Sequence, residues 1–472
     1  ERHCFCRRRA AGTVFFVWQK CVAGKEYDMI KDLTTGRPGS VLWRFSLPMF
    51  IGVIFQQVYN IADSVIAGKF AGEDALAAVG ASYPITMIFM AVAIGCQIGC
   101  TIIVSQLFGA KRYENLKSAV STAIISGFVL SALLMVLGIF ASGGMMRLVN
   151  TPENIFADGK LYLQIYIGGF VFLFLYNVAT GIFNSLGDSR TPLYFLIASS
   201  LGNVFLDWLF VADFHMGVAG VAWATFLAQG VACLLSLAVL KKRIGEIRTE
   251  APYPKFSVSE LKKIAVVAVP SILQQSFVSV GNMFIQGLIN SYGSSVIAGY
   301  SAAIKLNTFS ITCFTTIGNS VSSFTAQNMG AGKTQRVKEG FKTGVLLALG
   351  VAAVAFILLF GFAGPCLDMF MNEGSTELAR NTGIQFCRIV TPFYFLICLK
   401  LTSDGVLRGS GAMKAFMVST FADLLLRVVL AFVFAKFWGA VGIWLSWPVG
   451  WTLGTLLSVG FYKKGSWKRS MI

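Results

Sequence analysis

The run from residue 75 to 108, ALAAVGASYPITMIFMAVAIGCQIGCTIIVSQLF, contains no charged side chain. A helix needs about 20 predominantly apolar residues to cross a bilayer core roughly 30 Å thick. This run exceeds that length, and it ends in Gly109-Ala110-Lys111-Arg112, a turn followed by cations.

Working outward, eleven further stretches fit the same reading. In the first half they are about 42–68, 116–142, 160–185, 191–212 and 217–240. In the second they are about 262–290, 296–329, 340–363, 378–407, 414–436 and 440–462. The 472 residues are 56% hydrophobic and 13% charged, against about 25% charged in soluble chains, too few to cover a soluble surface. The expected fold is an all-α polytopic membrane protein of twelve transmembrane helices.

The formal net charge of +17 would suit a nucleic-acid binder, but its distribution argues for no nucleic acid. Lys111, Arg112 and Lys117, the stretch Lys241 to Lys263, Lys333 to Lys342, Arg408 and Lys414, and the tail Lys463 to Arg469 all fall on one side of the spans. The other side holds Lys69, Arg147, Lys160, Arg380 and Lys436. Cytoplasmic loops collect Lys and Arg, so both termini are expected in the cytoplasm and an even number of spans follows.

Ten cysteines lie mostly inside apolar runs, where they act as small hydrophobes. With no zinc-type spacing and two His in all, neither a metal site nor a disulfide framework is expected. The loops show no nucleophile motif or His/Asp/Glu metal cluster, so the chain is not expected to be an enzyme. The first 28 residues include Arg7-Arg8-Arg9 and a short apolar run at 13–18, without a small-residue cleavage site after it. The natural start is expected at Met29, with residues 1–28 a non-native or disordered extension.

The two halves repeat. Pro48 matches Pro270 and Asn60 matches Asn282. Gln106-Leu107-Phe108-Gly109-Ala110 matches Gln327-Asn328-Met329-Gly330-Ala331; Gly181 to Gly187 matches Gly405 to Gly411, and Gly217-x-x-Gly220 matches Gly439-x-x-Gly442. Six spans per half make the repeats parallel, related by an axis along the membrane normal, with a substrate site expected between or within them. This divides the chain into an N-lobe at 29–240, a cytoplasmic linker at 241–261 and a C-lobe with its basic tail at 262–472.

Ionisable residues inside spans mark functional positions. Asp63 and Asp207 stand toward the outer ends of spans 1 and 5, and no Lys or Arg lies in the span interiors of that half. Helical spacing gathers Gln56, Tyr59 and Asn60 on one face with Asp63, and Ser200 and Asn203 on one face with Asp207. Carboxylates in such surroundings favour whatever neutralises them: a proton, a sodium ion or a cationic substrate. The second half carries Lys305, Arg388, Lys400, Asp404, Asp423 and Arg427. Lys400 with Asp404, and Asp423 with Arg427, are i,i+4 pairs able to bond along one helix. Lys305 and Arg388 lack such a neighbour and are candidates, with Gln56 and Asn60, for a substrate cavity.

The stretch Gln56-Gln57-Val58-Tyr59-Asn60-Ile61-Ala62-Asp63, with Ala75 to Gly80, Gln327 to Ala331 and Gly405 to Gly411, resembles the multidrug and toxic compound extrusion (MATE) family, most nearly its bacterial DinF-like branch. The resemblance covers about Lys31 to Lys464. It implies an antiporter whose lobes open alternately to each side, exporting cationic amphipathic compounds from a bacterial cytoplasmic membrane in exchange for H+ or Na+, with no cofactor. The branch's cation-coupling aspartate falls on Asp63, its span-5 pair on Asn203 and Asp207, and its neighbouring polar positions on Tyr59, Tyr162, Asn177 and Thr225. A sodium ion, if used, is implied at Asp63, Asp207, Asn203 and Thr225. The acid that the sodium-coupled NorM-like branch carries in span 7 or the start of span 8 is not seen. A flippase for lipid-linked or polysaccharide precursors is the alternative within the same superfamily, with the second-half cations attracting an anionic headgroup. Each chain holds both halves, so a monomer is expected.

Overall fold

The apolar runs fold as long helices in the computed structural model, which describes residues 31–66, 73–149, 151–371 and 376–468, and within these all side chains but those of 60–66 and 73–76. The extension at 1–28 lies outside the described residues. The first six spans are α1 (Pro38–Ile66), α2 (Glu73–Gly109), α3 (Tyr113–Leu148), the broken pair α4 (Glu153–Gly168) and α5 (Phe170–Ser185), α6 (Arg190–Asp207) and α7 (Gly217–Glu246). The second six are α8 (Val258–Asn290), α9 (Ser294–Gly330), α10 (Thr334–Phe356), the pair α12 (Glu377–Val390) and α13 (Tyr394–Gly409), α14 (Met413–Trp438) and α15 (Ala440–Lys464), with the short α11 (Ala363–Asp368) after span 9.

Ten of these helices are long and apolar enough to cross a membrane, and the pair α4 and α5, bent by 46° at adjacent glycines, makes an eleventh crossing. The twelfth is α9, which at 37 residues has the length but is diluted by polar residues on its buried and its accessible faces alike. The non-helical linker is shorter than the basic stretch suggests. Helix α7 runs on to Glu246, and Ser257 caps α8 by accepting the backbone N–H of Glu260 at 3.4 Å. Glu260 thus sits in the first turn of α8, buried and paired with Lys263 at 2.8 Å, at the basic end of the span.

The packing has two-fold character. Within the lobes, α1 packs on α6 as α8 packs on α14, α2 on α5 as α9 on α13, and α6 on α7 as α14 on α15. Between the lobes, α2 meets α8 as α9 meets α1, α3 meets α8 as α10 meets α1, and α2 meets α9 on the axis itself. That pairing is what a two-fold axis relating the two halves produces. The repeated Gly217 and Gly439 take φ of +54° and +58° in the equivalent tight turns before α7 and α15, a conformation most side chains resist.

The lobes touch along the ends of the helices that carry the basic loops. A side chain on Gly99 would strike Ala268 and Ile264, and one on Gly95 would strike Ile272, so the pair forms the close-packed face of α2 against α8. Gly95 is 14 residues from the end of α2, about 21 Å at 1.5 Å per residue. Further along toward the basic end, Gly109 abuts the backbone of Gln327 and Gly330 that of Gln106.

Candidate functional site

Within the N-lobe, spacing alone groups the polar residues of α1 and those of α6; packing then joins the two groups. Helix α1 lies on α6, and the Tyr59 hydroxyl donates a hydrogen bond to Asn203 Oδ1. Asn203 is 3% exposed and Asp207 1%. Burying a carboxylate this deeply is costly without compensation. The backbone changes at this point: the six residues after Asp207, Trp208–Asp213, form a π-helical turn, with Phe214 N–H bonding to the Leu209 carbonyl at 3.0 Å. Such widened turns gather at functional positions.

The remaining N-lobe candidates are placed less uniformly. Tyr162 on α4 packs against Ala78, Ile155 and Val218, and against Val211 of the π-helical turn and Val221 of α7, so it bears on the segment that follows Asp207. Asn177 donates to the Leu173 carbonyl of its own helix at 2.8 Å. Thr225 is half-buried on α7, a helix packed on α4, α5 and α6. Gln56 is exposed on α1. The side chains of Asp63 and Asn60 lie outside the described residues; the backbone at both positions is helical.

The C-lobe charges separate into two sets. Lys400, Asp404, Asp423 and Arg427 are buried together between α13, α14 and α15. Lys400 Nζ lies 2.9 Å from Asp404 Oδ2 and 3.5 Å from Asp423 Oδ2. Asp404 Oδ1 also accepts the hydroxyls of Ser458 at 2.5 Å and Ser419 at 3.3 Å. The i,i+4 reading holds for Lys400 with Asp404 and fails for the second pair. Asp423 is bridged by Lys400 from the neighbouring helix, while Arg427 stacks over Trp447, 4.4 Å from the ring centroid. Three helices thus share one ionic cluster, which the spacing within each helix could not reveal. Lys305 and Arg388 form the other set: both are exposed, and among the described residues neither makes an ion pair or hydrogen bond.

One cavity escaped the sequence reading. About 80 Å³ lies between the lobes, lined by Met49, Ile94, Gln97, Asn184, Asn319 and Arg408 among others. Arg408 donates to Asn319 Oδ1 at 2.5 Å and sits over the Phe416 ring. Asn184 and Arg408 occupy equivalent places in the repeat. The sequence reading treats Arg408 as a loop cation, because nothing in its own half shows that the other lobe covers it.

Comparison with known proteins agrees with this architecture. The family profile described as MatE matches residues 48–209 and 270–433. The probable multidrug resistance protein YpnP of Bacillus subtilis strain 168 is 29% identical over 439 residues, covering 93% of this chain and 97% of its own. YoeA of the same organism, also described as a probable multidrug resistance protein, is 28% identical over 445 residues, covering 91% and 95%. Among solved structures, a MOP superfamily transporter from Pyrococcus furiosus Vc1 superposes with a TM-score of 0.87 at 21% identity, over 94% of this chain and all of that one.

Proposed function

The chain belongs to the MatE family of membrane transporters, and from that premise we propose that it is a secondary active exporter that exchanges cationic, amphipathic small molecules for H+ or Na+ by alternating access. The observation that carries this reading is the Tyr59–Asn203 hydrogen bond, which joins the polar face of span 1 to that of span 5, four residues from the buried Asp207. The relatives' names, multidrug resistance proteins, favour export over the flippase alternative.

In this proposal the basic end is cytoplasmic, as the distribution of Lys and Arg dictates. The lobes meet at that end, so the conformation is the outward-facing one. A proton or sodium ion enters from outside and loads Asp63 and Asp207, with Asn203, Tyr59 and Thr225 as neighbouring oxygen donors. Loading neutralises the carboxylates, repacks α1 against α6, and weakens the hold on a cation. The substrate leaves outward, the lobes rock, and the ion is released inside. A ligand shifts such an equilibrium only by binding the two states with different affinity, and competition for the same carboxylates supplies that difference. The setting is a bacterial cytoplasmic membrane, and one chain suffices because it contains both lobes.

The test is efflux of a fluorescent cationic dye from proteoliposomes under an imposed H+ or Na+ gradient, comparing the unaltered chain with Asp63→Asn. Transport driven by one gradient and lost in the variant supports the proposal and names the ion. Gradient-driven transport that survives the substitution moves coupling away from span 1, and no movement under either gradient removes the exporter reading.

A further inference from the structure

Helix α9 carries a polar line that its burial pattern sets apart. Ser301, Lys305, Thr308, Thr312, Thr315 and Asn319 recur every three or four residues, which places them on one helix face. Lys305 and Thr308 are exposed and the others half-buried, while Ala303, Ser310, Phe314 and Ile317 on other faces are buried. The line points at the other lobe: Asn319, at its basic end, lines the interlobe cavity with Met49, Ile94 and Gln97. Its continuation past Thr308 therefore faces the cleft between the lobes. Helix α12 repeats the device, with Asn381, Gln385 and Arg388 exposed at spacings of four and three.

The two cations stand at one depth. Gly299 and Gly383 are in contact where α9 crosses α12; Lys305 lies six residues beyond the first and Arg388 five beyond the second. Each is 11 residues from the start of its helix, about 16 Å in. Cations within a span face a bundle interior or a water-filled cavity rather than lipid, which for these two is the cleft. The facing line on α2 is apolar in its outer part, with Tyr83 exposed and Met87, Met90 and Ile94 half-buried, before Gln97 and Thr101 reach the same cavity.

We propose that the C-lobe wall of the cleft is an acid-recognition site, where Lys305 and Arg388 together bind a carboxylate, sulfonate or phosphate of the exported compound while its aromatic body lies against Tyr83, Met87 and Met90. The proposal rests on the exporter reading and narrows its substrates to zwitterionic amphipaths, cationic toward the N-lobe carboxylates and acidic toward this wall. Two cations with no carboxylate partner among the described residues, on polar faces opposite an apolar one, are complementary to such a molecule. Methionines suit aromatic bodies of varied outline.

The experiment compares two xanthene dyes with the purified full-length protein in detergent, one carrying a free carboxylate beside its cationic ring system and the other its ethyl ester, with binding read by fluorescence anisotropy. The carboxylate dye is expected to bind at least ten-fold tighter than the ester. The ratio should fall toward one in Lys305→Gln/Arg388→Gln and persist in Lys305→Arg/Arg388→Lys. A ratio near one in the unaltered protein, a ratio unmoved by the glutamines, or no binding of either dye would overturn the proposal. Tight binding of a short-chain phosphatidylglycerol but not of the carboxylate dye would overturn it too, making the occupant a lipid headgroup. Proteoliposome efflux of the same dyes separates the two readings. Gradient-driven movement without carboxylate preference leaves the exporter and removes the acid site; the ten-fold preference without movement does the reverse.

Discussion

Gln327 donates its side-chain amide across the lobe junction to the Ser185 carbonyl at 2.7 Å. Its counterpart in the repeat, Gln106, donates to the Gly409 carbonyl at 2.9 Å, and Ser185 and Gly409 are themselves counterparts. The repeated glutamine thus forms a reciprocal latch, each half holding the carbonyl that ends span 4 or span 10 of the other. All four residues are buried, so opening this end to water must break both bonds. This ties the most visible repeat in the sequence to the contact that closes the basic end.

The double variant Gln106→Ala/Gln327→Ala is expected to loosen that closure. At about 0.5–1.5 kcal/mol net for each bond, the pair shifts the closed–open equilibrium by roughly five- to hundred-fold. Hydrogen exchange of the backbone amides at 106–110 and 327–331 reads the shift directly. The two single variants should each give about half of that free energy, the square root of the fold-shift, and a large inequality between them would contradict the reciprocal latch.

Much of this was legible beforehand for a plain reason. Bilayer thickness fixes the length of an apolar run, and gene-level repetition leaves matching glycines and glutamines at nearly one offset. The twelfth span shows where a hydropathy average fails: α9 carries Ser301, Lys305 and Thr308 on its cleft line and buries Asn307, which accepts the Tyr394 hydroxyl at 3.1 Å, so its polarity is divided between the cleft and the packing inside the lobe. Residue spacing within one helix also cannot choose between partners on different helices. Asp423 illustrates this, since Lys400 reaches it from α13 while Arg427, on its own helix, turns to Trp447. Arg408 shows the remaining gap, because its surroundings exist only once the two lobes meet.

Lys400 is expected to be the residue whose loss most weakens the C-lobe. It bridges Asp404 and Asp423, and Lys400→Met leaves both buried carboxylates without that cation. Breaking a buried ion pair in this way costs about 3–5 kcal/mol. Thermal unfolding in detergent should show a marked fall for Lys400→Met and partial recovery in Lys400→Met/Asp404→Asn/Asp423→Asn, which removes all three charges. A single variant as stable as the unaltered protein would mean that the cluster does not hold α13, α14 and α15 together.

Asp188 gives a pH dependence of definite sign. It lies in the turn between α5 and α6, outside the spans, and its Oδ1 accepts the N–H groups of Arg190 and Thr191 at 3.1 and 3.0 Å while Oδ2 accepts the Thr191 hydroxyl at 2.6 Å. Burial pushes its carboxyl above the ordinary aspartate range, outweighing those hydrogen bonds. The folded chain therefore holds this proton more tightly than the unfolded one. Its contribution to stability is full below the unfolded value, about pH 4, and is lost as the pH climbs through the raised folded value. Asp188→Asn keeps an oxygen for the backbone donors and cannot ionise. The unaltered chain should lose melting temperature relative to Asp188→Asn as the pH rises from about 4; a constant difference between them across that rise would refute the assignment.

The crossing of Gly109 and Gly330 predicts a functional lesion with little loss of fold. A methyl group at either position would overlap the carbonyl of the opposite lobe, Gln327 in one case and Gln106 in the other. Neither overlap exists once the lobes part at this end, and alanine is well tolerated near a helix end, being a better helix former than glycine by about 1 kcal/mol. Gly109→Ala and Gly330→Ala should therefore each keep the melting temperature within a few degrees yet disfavour the state in which this end is closed. Transport requires both states, so dye efflux should fall at least ten-fold in each single variant, with faster amide exchange at 106–110 and 327–331. By the two-fold relation the two variants should fail alike. Full transport in either, with exchange unchanged, would mean that the lobes need not approach this closely to complete the cycle.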